Sequence, residues 1–263
     1  MKFHKIYALS LRHIYLICSS FPRIIDLIYW PTVQIFLWGF ISKFFTLNST
    51  YYSNTVGIIL TAAILYDFLF RASISFNMMF LEEIWSRNFT NLFIAPIKIS
   101  EIITSLTLTT IFRTLIGLVP ATILAIPLFG VSIFKLGIPL LFLLLSLYIF
   151  GITLGVLVTS GLLRFGPAFE SVAWASLFFL APLGCIYYPI EILPNALQLI
   201  AKALPLVHIF EEMRNILLNN SVNWFQIIKS ISISIIYFVF AVIVFYLSYF
   251  GAKVRGTLIN MGE

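Results

Sequence analysis

Residues 136–163 read LGIPLLFLLLSLYIFGITLGVLVTSGLL. From Leu136 to Leu163 there is no Asp, Glu, Lys or Arg, and the apolar character is continuous rather than alternating. A helix rising 1.5 Å per residue needs about 20 apolar residues to cross about 30 Å of hydrocarbon. A spanning β-strand would instead show as a segment of about 10 alternating residues. The stretch therefore predicts a transmembrane helix. The rest of the chain repeats the pattern.

Of 263 residues, 61% are hydrophobic and 10% charged, where soluble domains carry about 25% charged residues. Mean hydropathy is +1.04. Reading outward from 136–163 gives an all-α membrane protein with six spans: Ile25–Phe45, Val56–Phe80, Ile102–Leu128, Leu136–Leu163, Ala168–Tyr188 and Phe225–Phe250. The first two are joined by the polar turn Leu47–Thr50. Residues 1–24 form a separate element. Phe3, Tyr7, Leu11, Ile14, Cys18 and Phe21 recur every three to four residues, while Lys5, Arg12 and Ser19 recur on another face. This pattern predicts an amphipathic helix in the membrane interface with its basic residues toward the headgroups, the alternative being a frayed cytoplasmic tail. Residues 25–263 then make one six-span domain.

Six spans put both termini on one side, and basic residues choose the side. With the N-terminus cytoplasmic, inside segments hold Lys2, Lys5, Arg12, Arg23, Arg87, Lys98, Arg164, Lys253 and Arg255. Outside segments hold Lys43, Lys135, Lys202, Arg214 and Lys229, and Arg71 and Arg113 lie within spans. Nine against five predicts both termini in the cytoplasm. The net charge of +6 is scattered singly, so nucleic acid is not an expected partner, whereas membrane lipids are. Cys18 and Cys185 fall on opposite faces, which forbids a disulfide.

Two connections exceed the two to eight residues a simple turn needs. The cytoplasmic one, Leu81–Ser100, opens with Glu82 and Glu83, carries Trp85, Phe89 and Phe93 at four-residue spacing with Arg87 between them, and ends near Pro96. It predicts a docking helix over about 82–96, with an ordinary interfacial helix as the alternative. The external one, Tyr187–Trp224, predicts a hairpin of two short helices over about 189–218, broken by Pro194 and Pro205. Helices that short cannot span, so they dip into the leaflet or pack as a re-entrant pair.

No G-x-x-x-x-G-K-[ST] loop is present, nor a G-x-S-x-G elbow. His4, His13 and His208 lack metal-ligand spacing. No catalytic residue, metal site or cofactor is expected within the chain. The most expensive residues are Asp67 and Arg71 in the second span, each costing about 2.5–3.5 kcal/mol on an insertion scale. Their i,i+4 spacing predicts a pair facing the protein interior, Arg113 can join them, and Ser73, Ser75 and Asn77 extend the polar character. Such a set either lines a conduit or fixes helix register. Gly151-x-x-x-Gly155 permits close helix approach. Trp30 and Trp38 line a path or belong to an interface belt.

The span ending Leu81-Glu82-Glu83 with Asn91-Leu92-Phe93-Ile94-Ala95-Pro96 after it resembles the permease subunits of type-2 ABC exporters. So does external Tyr188-Pro189-Ile190-Glu191-Ile192-Leu193-Pro194, continuing through Leu204-Pro205-Leu206 to Glu212-Met213-Arg214. The resemblance implies a half-transporter of the bacterial cytoplasmic membrane that pairs with a second copy and recruits two separate ABC ATPase subunits, which would hold ATP and Mg. It assigns ATPase coupling to Glu82–Pro96. It assigns an external gate to Pro189–Arg214, with Tyr188, Pro189, Glu191, Pro194, Pro205, Glu212 and Arg214. The path would use the first, second and fifth spans and carry an amphiphile: a drug-like molecule, a lipid or a lipid-linked glycan. A stand-alone channel or ion-coupled carrier is the second reading, with Asp67 its only mid-span carboxylate. A lipid-modifying enzyme is the third, disfavoured by the missing catalytic sets.

Overall fold

The computed structural model describes residues 2–48, 55–86, 88, 91–92 and 95–256. Among them there is no β-strand, and the elements in order are α1 (Phe3–Cys18), α2 (Phe21–Asn48), α3 (Thr55–Trp85), α4 (Ile99–Phe129), α5 (Pro139–Phe165), α6 (Glu170–Leu183), α7 (Asn195–Ala203), α8 (Pro205–Asn219) and α9 (Trp224–Arg255). Short 3₁₀ turns precede α5, α6 and α7.

Among the described residues, five helices are long and apolar enough to cross a bilayer: α2, α3, α4, α5 and α9. Helices α2, α3, α4 and α9 contain their expected spans and overrun them by a few residues at both ends. Helix α5 instead starts at Pro139, inside the expected Leu136 start, because Ile133–Leu136 forms a 3₁₀ turn and Gly137 takes a φ of 63°. The fifth expected span, Ala168–Tyr188, is shorter. Pro167–Leu183 is helical, a rise of about 25 Å at 1.5 Å per residue, under the ~30 Å hydrocarbon thickness. Pro182 and Gly184 mark its end. Cys185 then takes a left-handed φ of 51°, and the Tyr188 hydroxyl donates to the Pro182 carbonyl at 2.6 Å.

Helix α3 is the axis of the bundle, touching α2, α4, α5, α6 and α8. Its approach to α5 depends on two glycines. A Cβ at Gly151 would lie 2.9 Å from both the Ala72 Cβ and the Leu69 carbonyl oxygen, and one at Gly155 would lie 3.0 Å from the Phe76 Cβ. The G-x-x-x-G pair is thus spent on packing within the chain. On its far side α5 carries α9, joined by the buried Ser146–Ser234 hydroxyl pair at 3.0 Å.

Helix α1 buries Ile6, Leu9, His13 and Ile17 and leaves Phe3, Tyr7 and Tyr15 exposed. It packs on the start of α4 and against α2. A hydrophobic cluster including Leu9, Phe80, Ile84, Ile102, Leu162 and Ala252 ties it to the ends of α3, α5 and α9. At the opposite end α8 is buried in the main core, with Leu206, Ile209, Phe210 and Met213 fully covered. By contrast α7 exposes Leu199 and Ile200. The hairpin is therefore asymmetric, with one helix a wedge in the bundle and the other a surface helix.

Candidate functional site

The polar stretch of α3 opens onto a cleft. Asp67 and Arg71 are both buried and meet at 3.5 Å between Oδ2 and Nε. They form part of the wall of a cavity of about 450 Å³ bounded by α2, α3 and α6, together with Gln34, Trp30, Trp38 and Trp174. The aromatic walls are mutually braced. The Trp38 and Tyr187 rings stack with centroids 4.1 Å apart, and Phe70 meets Trp174 and Phe178 edge-on at 5.7 and 5.9 Å. The Tyr66 hydroxyl donates to the Leu177 carbonyl at 2.5 Å, which fixes short α6 against α3. Both Trp30 and Trp38, which sequence alone leaves divided between path and belt, border this cavity. It offers flat apolar faces beside a charged pair and an amide, a combination that suits a ligand with an apolar body and polar substituents.

Two of the expected polar set lie elsewhere. The Asn77 side-chain oxygen accepts from the Thr159 hydroxyl at 3.1 Å, linking α3 to α5. Arg113 does not join Asp67 and Arg71. Its Nη1 lies 3.4 Å from Glu82 Oε1, because Arg113 and Glu82 sit toward the same end of the bundle, more than two helical turns from the cleft.

At the α1 end, the acidic pair is engaged inside the protein. Glu83 is buried and accepts from Arg12 through two contacts, at 2.8 and 3.0 Å. The Asn88 amide donates to it at 2.7 Å, and His13 Nε2 lies 3.4 Å away. Burial pushes the His13 imidazole below its usual range, opposed by the Glu83 charge. Arg12 therefore reaches over the end of α3 to Glu83, whereas amphipathicity alone predicts it among headgroups. Lys5 likewise donates to the Pro96 carbonyl, and Glu101 accepts the backbone N–H groups of Lys2 and Lys98 at 2.8 and 3.0 Å. Glu82, Glu83 and Trp85 belong to the last turn of α3, with Trp85 exposed. Arg87, Phe89 and Phe93, the remaining members of the expected docking face, lie outside the described residues.

At the opposite end, Arg214 is the hub. Its Nη1 donates to the carbonyls of Cys185 and Ile186 at 2.9 and 3.1 Å, and its Nη2 to Glu211 at 2.9 Å. Glu211 also accepts the Ile190 N–H at 3.0 Å. Glu212 is buried and accepts the Asn223 N–H at 2.6 Å; burial pushes its carboxyl up, opposed by that hydrogen bond. The segment after α6 is thus stapled to α8. Pro205 is the buried first residue of α8, while Pro189, Glu191 and Pro194 are exposed.

Sequence reasoning missed Arg12, His13 and Glu101 as partners of the α1 end, Glu211 as the partner of Arg214, and Tyr66 and Tyr187 in the cleft. Of these, the Glu211–Arg214 spacing of three and the Lys98–Glu101 capping spacing of three leave local signals. The remaining contacts, including that of Glu101 with Lys2, pair across long sequence separations. Searches among known protein families and among curated proteins find no match for this chain.

Proposed function

We propose that this chain is the membrane-spanning permease subunit of an ATP-driven exporter of the type-2 ABC kind, moving an amphiphilic substrate across the bacterial cytoplasmic membrane. The observation that carries this reading is the aromatic cleft beside the Asp67–Arg71 pair, set among α2, α3 and α6. Gln34 and Asp26 are exposed on α2, and polar groups left facing hydrocarbon are costly. A second copy laid over this face would cover them and turn two clefts into one conduit. Both termini would be cytoplasmic, in line with the excess of basic residues on that side.

Energy would come from two separate ATPase subunits carrying ATP and Mg, docked near Glu82–Pro96. In this scheme Glu83 transmits rather than touches. A push on the segment after α3 reaches α1 through Arg12 and reaches α4 through the Glu82–Arg113 pair. The push drives transport only if ATP binding favours one arrangement of the permease pair energetically. The hairpin at the opposite end, held by Arg214 and Glu212, would act as the outer gate.

The burial of Asp67 beside the cleft favours a second reading, an ion-coupled carrier or channel using that carboxylate. Co-expression with an ATPase encoded beside this chain separates the two. The exporter reading expects a stable complex whose ATP hydrolysis rises with substrate, and transport that survives Asp67→Asn combined with Arg71→Gln. Transport without any ATPase, abolished by that double substitution, would establish the carrier instead.

A further inference from the structure

A groove of about 340 Å³ opens between α5 and α9 at the α1 end of the bundle, remote from the cleft. It is lined by Arg164 from the last turn of α5 and by Val244, Leu247, Ser248, Gly251 and Arg255 from α9. Both arginines are exposed, and neither lies within ion-pair distance of a carboxylate among the described residues. Each makes a local contact within its own helix. Arg255 Nε donates to the Gly251 carbonyl at 3.1 Å, which leaves its two terminal nitrogens as donors. The Arg164 guanidinium carbon sits 5.5 Å from the centroid of the Phe165 ring. Lys253 adds a third positive charge in the same turn of α9.

Two exposed guanidinium groups without a counter-charge among the described residues, at the rim of an apolar span, call for an anion. What reaches them must also fit beside hydrocarbon. Leu247 and Val244 continue the groove one to three turns into the span, and that face of α9 is apolar and exposed at Ile243, Leu247 and Phe250. We infer that this groove binds an anionic glycerophospholipid. The phosphate is taken by Arg164 and Arg255, the glycerol region lies beside the Ser248 hydroxyl, and an acyl chain lies along Leu247 and Val244. Gly251 supplies the room. A Cβ there would stand 3.7 Å from Arg255 Nη2, so a larger side chain fills the groove without displacing backbone.

The test is native mass spectrometry of the delipidated full-length chain in detergent, titrated with phosphatidylglycerol, phosphatidylethanolamine or inorganic phosphate. Phosphatidylglycerol should bind at least tenfold more tightly than phosphatidylethanolamine. Its affinity should fall about fivefold for Arg164→Gln or Arg255→Gln alone and about thirtyfold for both. Gly251→Leu keeps both charges and should lose binding too, and it decides the matter if the double variant does not fold. Lys135→Gln with Lys229→Gln, both at the opposite end, should leave binding intact. Unchanged phosphatidylglycerol affinity in the double arginine variant or in Gly251→Leu would overturn the inference. So would displacement of the lipid by inorganic phosphate at equal concentration.

Discussion

Helices α3 and α9 are nearly equal in length, yet they occupy opposite places in the bundle. Of the most apolar stretch of α3, 78% is buried within the protein, against 22% for α9. The buried helix is the less apolar of the two, carrying Asp67, Arg71, Ser73, Ser75 and Asn77. The exposed one has no charge between Lys229 and Lys253. In water the ranking would be reversed. In a bilayer the apolar helix can face its solvent, and the helix with polar side chains must find partners inside. Helix α9 touches protein along a narrow stripe of Ile227, Ser230, Ser234, Ala241, Phe245 and Ala252. Helix α3 is packed nearly all round.

The largest expected effect comes from breaking α3 at its centre. Asp67→Asn leaves Arg71 buried without its counter-charge and should cost about 3–5 kcal/mol, read as thermal unfolding of the purified protein in detergent. Asp67→Asn with Arg71→Gln should cost clearly less. Equal losses would mean that the pair does not hold the helix. The mirror-image insult places a charge on the lipid face of α9. Ile236→Arg, at a position 68% exposed, should make insertion of that helix about 2.5–3.5 kcal/mol less favourable in a translocon reporter assay. Undiminished insertion would place that face of α9 against something other than hydrocarbon.

Packing separates the regions less drastically. Gly151→Ala forces α5 away from α3 and should destabilise by about 1–3 kcal/mol. Gly57→Ala, where a new Cβ meets nothing within 4 Å among the described residues, should instead stabilise by about 0.5–1 kcal/mol through helix propensity. Loss of stability in both would point to a neighbour beside Gly57. The smallest contrast lies within α9 itself. Ser234→Ala removes the buried hydroxyl pair with Ser146 and should cost about 1 kcal/mol, whereas Ser232→Ala, on the exposed face, should stay within about 0.5 kcal/mol. Finding the larger loss at Ser232 would rotate α9 relative to the bundle.

The five long helices are legible in the sequence because insertion depends on summed apolarity over some 20 residues, a quantity local to each segment. The i,i+4 pairing of Asp67 with Arg71 is legible for the same reason. What α1 does with Arg12 is not, because Glu83 lies 71 residues away and only the packed bundle brings them together. Arg113 shows the complementary difficulty. A charge in a span announces that it needs a partner without saying which, and depth along the helix decided for Glu82 over Asp67. The fifth span shows a third limit. Apolarity persists through Ile186, but Pro182 and Gly184 end the helix before the hydrophobic pattern does. The cleft was the hardest part to see, since its aromatic walls come from three helices whose order around α3 no periodicity encodes.

The shortness of α6 has a consequence for the surrounding membrane. A helix about 5 Å shorter than the hydrocarbon slab, pinned through Leu177 to Tyr66 on the central helix, is held back from tilting or sliding to meet both interfaces. Under the six-span reading proposed above, the lipids make up the difference, by local compression of the leaflets or by enrichment of shorter acyl chains along that flank. Each costs fractions of a kcal/mol per ångström of mismatch, and association with another protein surface relieves the cost. Bilayer thickness should therefore act on this molecule as a force, felt on the side where the cleft opens.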